Sequence, residues 1–462
     1  MSENVTLKNI AKPGAGLIVA APASGSGKTV FTLGLLHHLS RSGVHIASAK
    51  AGPDYIDPAF HAAATKGTCR NLDQWAMRPS ALLHAAYELG AEGATVICEG
   101  VMGLFDGAVQ EDGSTADLSL ITGWPVILVI DAGAQGASAG AVLRGFANHR
   151  PGLEIAGVVF NRIGGDKHRD ILAAAAAAAV PDIPVLGFIP RNAELNLPSR
   201  HLGLIQAGEY RDLDQLLDVA ANQVETHVDV EKLLSLAQPM KDQNKIKKAG
   251  APAPIKPLGQ NIAIAEDEAF TFRYPQIIEG WQQQGAAISF FSPLDDVPPP
   301  DDADAVYLPG GYPELHGYRL ATATTFMDGL RTAAARGATV FGECGGYMVL
   351  GKWMIDANGQ RHVMSGLLSL ETTFVEPKLH LGYRDLRLDV GAALGSGNAL
   401  GAPGTRFRGH EFHYATVLRE SPGAPLFECS DARGETLGLA GLADGRVMGS
   451  FIHLIDRQDE DA

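Results

Sequence analysis

An apolar run, a loop of glycine and serine, and a helical run succeed one another in GLIVAAPASGSGKTVFTLGLLHHL, Gly16 to Leu39. No other stretch restricts the fold of this chain so strongly. The loop is Pro22-Ala23-Ser24-Gly25-Ser26-Gly27-Lys28-Thr29, small enough for successive backbone N–H groups to curl around a polyphosphate at a helix N-terminus. In that arrangement Gly25, Ser26 and Gly27 wrap the phosphates of a nucleoside triphosphate such as ATP. Lys28 meets the β- and γ-phosphates, and the Thr29 hydroxyl meets Mg²⁺. The common pattern has glycine where this chain has Pro22. Such a loop hangs from a parallel sheet, and the runs GLIVAA, HIASAKAGPD, ATVICEG, PVILVIDA, IAGVVFNR and IPVLGFIPR alternate with helical patterns as a doubly wound α/β sheet requires. Ala173–Ala179, all alanine, reads as a propensity-driven helix.

A chain of 462 residues exceeds one ordinary core. The periodicity of the first domain, 13–236, fades into AQPMKDQNKIKKAGAPAPIKPLGQ, 237–260, which reads as a linker rich in Lys, Pro, Gly and Gln. A second α/β series, 261–457, follows with NIAIAEDEAF, AAISFFSPL, ADAVYLPGGY, GATVFGECGGYMVLG and RVMGSFIHLI. The net charge of −15 argues against nucleic acid or an anionic membrane as partner. Cys69, Cys98, Cys344 and Cys429 are scattered without a C-x-x-C pair, which fits a reducing cytoplasm better than a zinc site or a disulfide framework. No apolar run approaches membrane-spanning length, and MSENVTLKNIAKPG lacks the order of a signal peptide.

The carboxyl ends of strands line the ligand crevice of a parallel sheet. In HIASAKAGPDYIDP this places Lys50, Asp54 and Asp57 near Lys28, and in ATVICEGVMGLFDG it places Glu99 there. Mg²⁺ takes oxygen ligands, so Thr29, Asp54 and Glu99 are assigned to the metal, Lys28 and Lys50 to phosphate or the reacting carboxylate, and Asp57 to substrate activation. Asp106 either positions substrate in catalysis or caps the next helix. Asn161 either reads adenine through its amide or forms an Asx-turn.

In the second domain Gly342-Glu343-Cys344-Gly345-Gly346 follows the apolar run ATVF. It has the form of a nucleophile elbow with cysteine in place of serine, its glycines permitting the strained turn. Cys344 would attack a carboxamide carbon as thiolate, with His453 of GSFIHLID as base. Gly310 and Gly311 of PGGYPE suit an oxyanion hole. His410 and His413 in RGHEFHYA, beside Tyr414, have H-x-x-H spacing without a matching third ligand, and a structural or substrate-lining role is expected of them.

Through PASGSGKT, KAGPDYIDP and CEGVMGLFDG the first domain resembles the dethiobiotin synthetase-type ATP-binding fold. Through LPGGYPE, FGECGGYMVLG and GSFIHLID the second resembles class I glutamine amidotransferases. Together with NLDQWAM, PSRHLGL, FSPLDDVPPPDDADAVYLPGGYPELH and RGHEFHYA, the chain from about Gly16 to Asp456 resembles the cobyrinic or hydrogenobyrinic acid a,c-diamide synthases of cobalamin biosynthesis. That resemblance implies ATP- and Mg²⁺-dependent amidation of the a and c acetate side chains of a corrin precursor, with nitrogen from L-glutamine, by a homodimer. One departure stands out. Class I glutamine amidotransferases usually carry His-x-Glu, whereas Leu454 and Ile455 follow His453 here. Related readings are amidation of nickel-sirohydrochlorin or of further corrin side chains. A ParA/MinD-like ATPase switch would carry an early loop lysine where this chain has Ala23.

Overall fold

The computed structural model describes residues 7–91, 93–195, 199–200, 203–204, 206–252, 254–389, 399–420 and 424–458. Of the PSRHLGL motif, 198–204, Pro198, His201 and Leu202 lie outside the described residues. The chain divides into two units, Met1–Trp75 with Pro79–Pro252, and Ala76–Arg78 with Ala253–Ala462.

In the first unit β1 (Ala15–Ala20), β2 (Ile46–Ala51), β3 (Cys69–Leu72), β4 (Thr95–Glu99), β5 (Val126–Asp131), β6 (Ile155–Ile163) and β7 (Val185–Pro190) pair in parallel in the order β3-β2-β4-β1-β5-β6-β7. Every residue of β1 is buried, as expected of a strand covered on both faces. Two helices matter for the site: α1 (Lys28–Arg41), which leaves the loop after β1, and α2 (Asp57–Thr65) after β2. Register does the rest. Glu99 lies opposite both Val19 and Lys50, and Asp131 opposite Asn161, so polar residues far apart in sequence gather at one edge of the sheet. The alanine run forms the helix Asp166–Ala179, which buries Leu172 and Ala176.

The stretch 237–260 differs from the linker its composition suggested. Gln238 and Pro239 pair antiparallel with Gly16 and Ala15, and Gln243–Ala249 is helical. Met240 and Ile246 are buried, and these two apolar anchors hold a polar segment onto the first unit.

The second unit is a mixed sheet. Its strands are β8 (Asn261–Ala265), β9 (Ala287–Phe291), β10 (Ala305–Leu308), β11 (Thr339–Glu343), β12 (His380–Leu388), β13 (Arg406–His413), β14 (Ala424–Asp431), β15 (Thr436–Asp444), β16 (Val447–Ser450) and β17 (Ile452–Arg457). They run in the order β9-β8-β10-β11-β16-β15-β14-β12-β13-β17, parallel from β9 to β16 and antiparallel beyond. Alternation on β10 sends Ala305 and Tyr307 to one apolar core and Val306 and Leu308 to the other, so both faces of the sheet are covered. The short helix α3 (Gly345–Leu350) leaves β11 at Cys344.

Candidate active site

At the loop of the first unit Gly25 and Gly27 adopt left-handed φ angles of 80° and 86°, which glycine takes without steric cost. A Cβ on Gly27 would run into the Asn161 amide. Asn161 in turn donates Nδ2–H to the Ser26 carbonyl (3.0 Å) and accepts the Arg162 N–H at Oδ1 (2.9 Å). It braces the loop from strand β6, a contact different from an Asx-turn, and its second amide N–H and second Oδ1 lone pair are left for a base. It also lines a cleft with Gly27, Phe31, Ile189, Gln223 and Val224. Ser26 closes the turn through its hydroxyl on the Ala23 carbonyl (2.8 Å).

The charged residues predicted at the strand ends converge on Glu99, which is fully buried. Its Oε1 accepts from Lys28 Nζ (3.1 Å), Thr29 Oγ1 (2.6 Å) and Lys50 Nζ (3.0 Å), and its Oε2 faces His61 Nε2 at 2.8 Å. Lys50 also binds Asp57 Oδ2 at 2.5 Å. Burial works against charge on Glu99, but Lys50, Lys28 and His61 outweigh it and hold the carboxyl well below the ordinary range. Against burial, Cys69 and Glu99 push His61 up to about 10. Burial opposes charge on Lys50 too, yet Asp57 and Glu99 raise it. Lys28 is the exception: burial, with Lys50 beside it, pulls it down. Lys28, Lys50 and His61 are set against the carboxylates Glu99, Asp57 and Asp54, so an incoming polyphosphate would meet cations already in place.

The donor set also fits Mg²⁺, since Thr29 Oγ1 and Glu99 Oε1 are adjacent hard oxygens. Asp54 spends Oδ1 on the N–H groups of Ile56 (2.8 Å) and Asp57 (3.0 Å), and burial and Asp57 push its carboxyl up to about 6. Asp106 is exposed and accepts the Gly103 N–H (2.9 Å). It closes its own loop and does not cap the next helix, a task that falls to Ser114. His61, in contact with Glu99, carries no strand-end signal; its spacing of four from Asp57, on one face of α2, is the pattern that marks it.

In the second unit Cys344 sits between β11 and α3 at φ 47°, ψ −105°, a conformation that L-residues rarely adopt. The turn is tight because a Cβ on Gly346 would run into the Leu308 carbonyl. Cys344 is buried, with Sγ 3.8 Å from the Phe412 carbonyl and its N–H on the Ser450 carbonyl at 2.8 Å. A Cβ on Gly310 would collide with the His453 ring, lying 2.9 Å from Nε2 and 3.2 Å from Cys344 Cβ. The Cys344 Cβ, the imidazole and Gly310 thus surround one point. The N–H nitrogen of Gly311 lies 3.0 Å from where a Gly345 Cβ would stand, which puts PGGYPE against the elbow.

Charge is suppressed here. Burial, and next Glu314, pushes the Cys344 thiol up, and burial, with His410 and His413, pulls His453 down to about 3. Burial pushes Glu343 up to about 7 and Glu314 up to about 8. One buried oxygen of Glu314, Oε2, has no hydrogen-bond partner among the described residues.

His410 lies opposite His453 in the β13–β17 pair, where burial and Arg384 pull it down to about 3. His413 sets Nδ1 3.1 Å from the Ala415 carbonyl and Nε2 2.9 Å from Glu411 Oε1, both oxygens being acceptors, and its ring stacks on His380 (4.7 Å, 5°) and on Phe451 (3.9 Å, 18°). Ligating atoms of His380, Glu411 and His413 all lie within 4.8 Å of one another, a set that includes His413 but not its H-x-x-H partner His410. Glu411 is already engaged at both oxygens, Oε2 accepting from Arg384 at 2.7 Å and Oε1 from His413.

Residues 17–205 match the CobQ/CobB/MinD/ParA nucleotide binding domain, and residues 261–460 match the CobB/CobQ-like glutamine amidotransferase domain. A hydrogenobyrinate a,c-diamide synthase of Brucella anthropi is 50% identical over 443 residues, covering 96% of this chain and 98% of the relative. The chain belongs to the hydrogenobyrinate a,c-diamide synthase family. Members from Brucella abortus (50% identical, covering 97% of this chain and all of the relative) and Rhizobium meliloti (48%, covering 96% and 99%) agree in length as well as in sequence. The family's two-part build matches the two α/β units, with a nucleotide-binding domain ahead of a glutamine amidotransferase domain. Among the described residues no helix is long and apolar enough to cross a membrane.

Proposed function

We propose that this protein amidates the a and c acetate carboxylates of hydrogenobyrinic acid, or of cobyrinic acid, using ATP and the amide nitrogen of glutamine. The observation that carries this reading is that one chain holds both a polyphosphate loop, whose Lys28 and Thr29 meet Lys50 at Glu99, and a cysteine elbow whose Cys344 Cβ and the His453 ring both stand against Gly310. The division of labour assigns 13–236 to activation and 261–457 to glutamine hydrolysis, in a homodimeric, cytoplasmic enzyme.

A carboxylate is a poor electrophile. Transfer of the γ-phosphoryl group of ATP to a carboxylate oxygen breaks the β,γ-anhydride, releases ADP and forms an acyl phosphate, from which ammonia then displaces phosphate. Lys28 and Lys50 neutralise the transferring group, and Asp57 aims Lys50. Thr29, Glu99 and Asp54 would hold Mg²⁺, which supplies charge neutralisation at the phosphates. In the second domain His453 takes the Cys344 proton as sulfur attacks the glutamine carboxamide carbon. The Gly310 and Gly311 N–H groups receive the oxyanion, and the proton returns to the departing ammonia. Water then cleaves the γ-glutamyl thioester to glutamate and free thiol.

The test is mass spectrometry of the ring acid after incubation with ATP, Mg²⁺ and amide-labelled glutamine, with metal-free and cobalt-bearing acids in parallel. Labelled nitrogen in the a and c side chains is expected with at least one acid. No incorporation with either, or incorporation only elsewhere on the ring, contradicts the reading.

A further inference from the structure

The base of the cysteine site lacks the carboxylate that usually follows it two residues later, because Ile455 occupies that place. The next acid on β17, Asp456, is engaged elsewhere: its Oδ2 accepts the backbone N–H (2.8 Å) and Nε–H (3.0 Å) of Arg78, and its Oδ1 accepts Nη2–H (3.1 Å). A different carboxylate faces the imidazole. Glu343, the residue before the nucleophile, brings Oε2 to 3.8 Å from His453 Nδ1, with both side chains essentially buried.

We propose that Glu343 is the positioning residue of the cysteine site, its carboxylate standing at Nδ1 in place of the absent His-x-Glu acid and turning Nε2 toward Cys344. The proposal rests on the glutaminase reading of Cys344 given above.

The carboxylate is itself fixed at both oxygens. Tyr307 donates its hydroxyl to Oε2 at 2.6 Å from β10, and the Leu454 N–H, next along the chain from His453, donates to Oε1 at 3.0 Å. Glu343 thereby grips the backbone that carries the imidazole. The parallel pairing of Glu343 with Ser450, and the Ser450 hydroxyl accepting the Ile452 N–H at 3.2 Å, keep the passage from β16 to β17 short and bring His453 to this carboxylate. A proton on Nδ1, facing Glu343, leaves the Nε2 lone pair for the thiol. When the thiol proton arrives at Nε2, the carboxylate stabilises the imidazolium formed. No bond to Glu343 forms or breaks.

The remaining ionisable neighbours are Tyr274, edge-on to His453 at 6.4 Å, His410 and His413 from β13, Cys344 itself, and Arg273 toward Tyr307. Burial raises the Glu343 carboxyl to about 7, and the Tyr307 bond holds it down. Glutaminase activity should therefore rise with pH through the neutral range as Glu343 ionises.

The test is the pH profile of glutamine hydrolysis by the full-length protein. Glu343→Gln keeps groups able to meet Tyr307 and Leu454 but removes the charge. It is expected to lower kcat by about tenfold or more with little change in KM, and to abolish the neutral-range rise. Tyr307→Phe, which touches no reacting atom, removes a bond that lowers the Glu343 carboxyl and should move the rise to higher pH. A Glu343→Gln enzyme with wild-type kcat and pH profile, or a Tyr307→Phe enzyme whose profile does not move, overturns the positioning role. Should Glu343→Gln fail to fold, the Tyr307→Phe profile decides alone. Cys344→Ala in the same assay separates the two questions, because hydrolysis that survives it removes the glutaminase reading and not merely the role of Glu343.

Discussion

Glu99 and His453 are both completely buried, yet the first lies among cations that keep it ionised and the second among groups that keep it neutral. Around Glu99 the charges of Lys28, Lys50, Asp57 and His61 are paired at hydrogen-bond distance, which offsets a desolvation cost that none of them would bear alone. Around Cys344 burial pushes the thiol up and holds the imidazole down, so a proton sits on sulfur until something enters. The difference follows the ligands. A polyphosphate arrives charged and needs counter-charge in place, whereas glutamine presents a neutral carboxamide, and a thiolate held permanently in that pocket would be uncompensated and open to oxidation.

The largest effect that would break this contrast is loss of the paired cation. Lys28→Ala should reduce amidation by about 10²–10³-fold whether nitrogen comes from glutamine or ammonium, with glutamine hydrolysis retained. Loss with glutamine alone would mean that Lys28 does not serve phosphoryl transfer. A smaller effect tests the His61–Glu99 pair through stability. His61 has a folded-state pKa of about 10, above the ordinary 6.5, so its contribution is fully present below pH 6.5 and disappears as pH rises through about 10. His61→Gln should lower the stability of the first unit by about 1–3 kcal/mol on the acid side of that window and flatten its pH dependence there. Thermal melts across the window check it, and equal pH slopes in the two proteins would contradict the pairing. The smallest effect sharpens the other half. Glu314 raises the Cys344 thiol, so Glu314→Gln should speed alkylation of Cys344 by about three- to tenfold above the Glu314 pKa of about 8, and a slower rate would show that Glu314 does not oppose the thiolate.

What the sequence made legible was local. The loop and the elbow each pack their chemistry into fewer than ten consecutive residues, and a strand end is visible as an apolar run that stops at a charge, which is how Lys50, Asp57 and Glu99 were reachable before any contact was known. What stayed hidden depends on register and on helix faces. His61 lies in an alanine-rich helix whose spacing marks it only when counted from Asp57. Glu343 looks like a spacer of the elbow until β17 brings His453 alongside it, more than a hundred residues later in the chain. The contact of Asn161 with the loop was equally hidden, because the close approach of β6 to Gly27 is invisible to periodicity. In the docked segment after Leu236 two buried apolar residues, Met240 and Ile246, outweigh a composition that otherwise signals a linker.

Two chemistries are divided between two units, and nitrogen-source dependence of Cys344→Ala measures that division directly. With ATP, Mg²⁺ and ring acid, the variant should form the diamide from ammonium as the wild type does and form none from glutamine. Continued use of glutamine, or loss of ammonium-supported amidation by a variant that melts like the wild type, would contradict it.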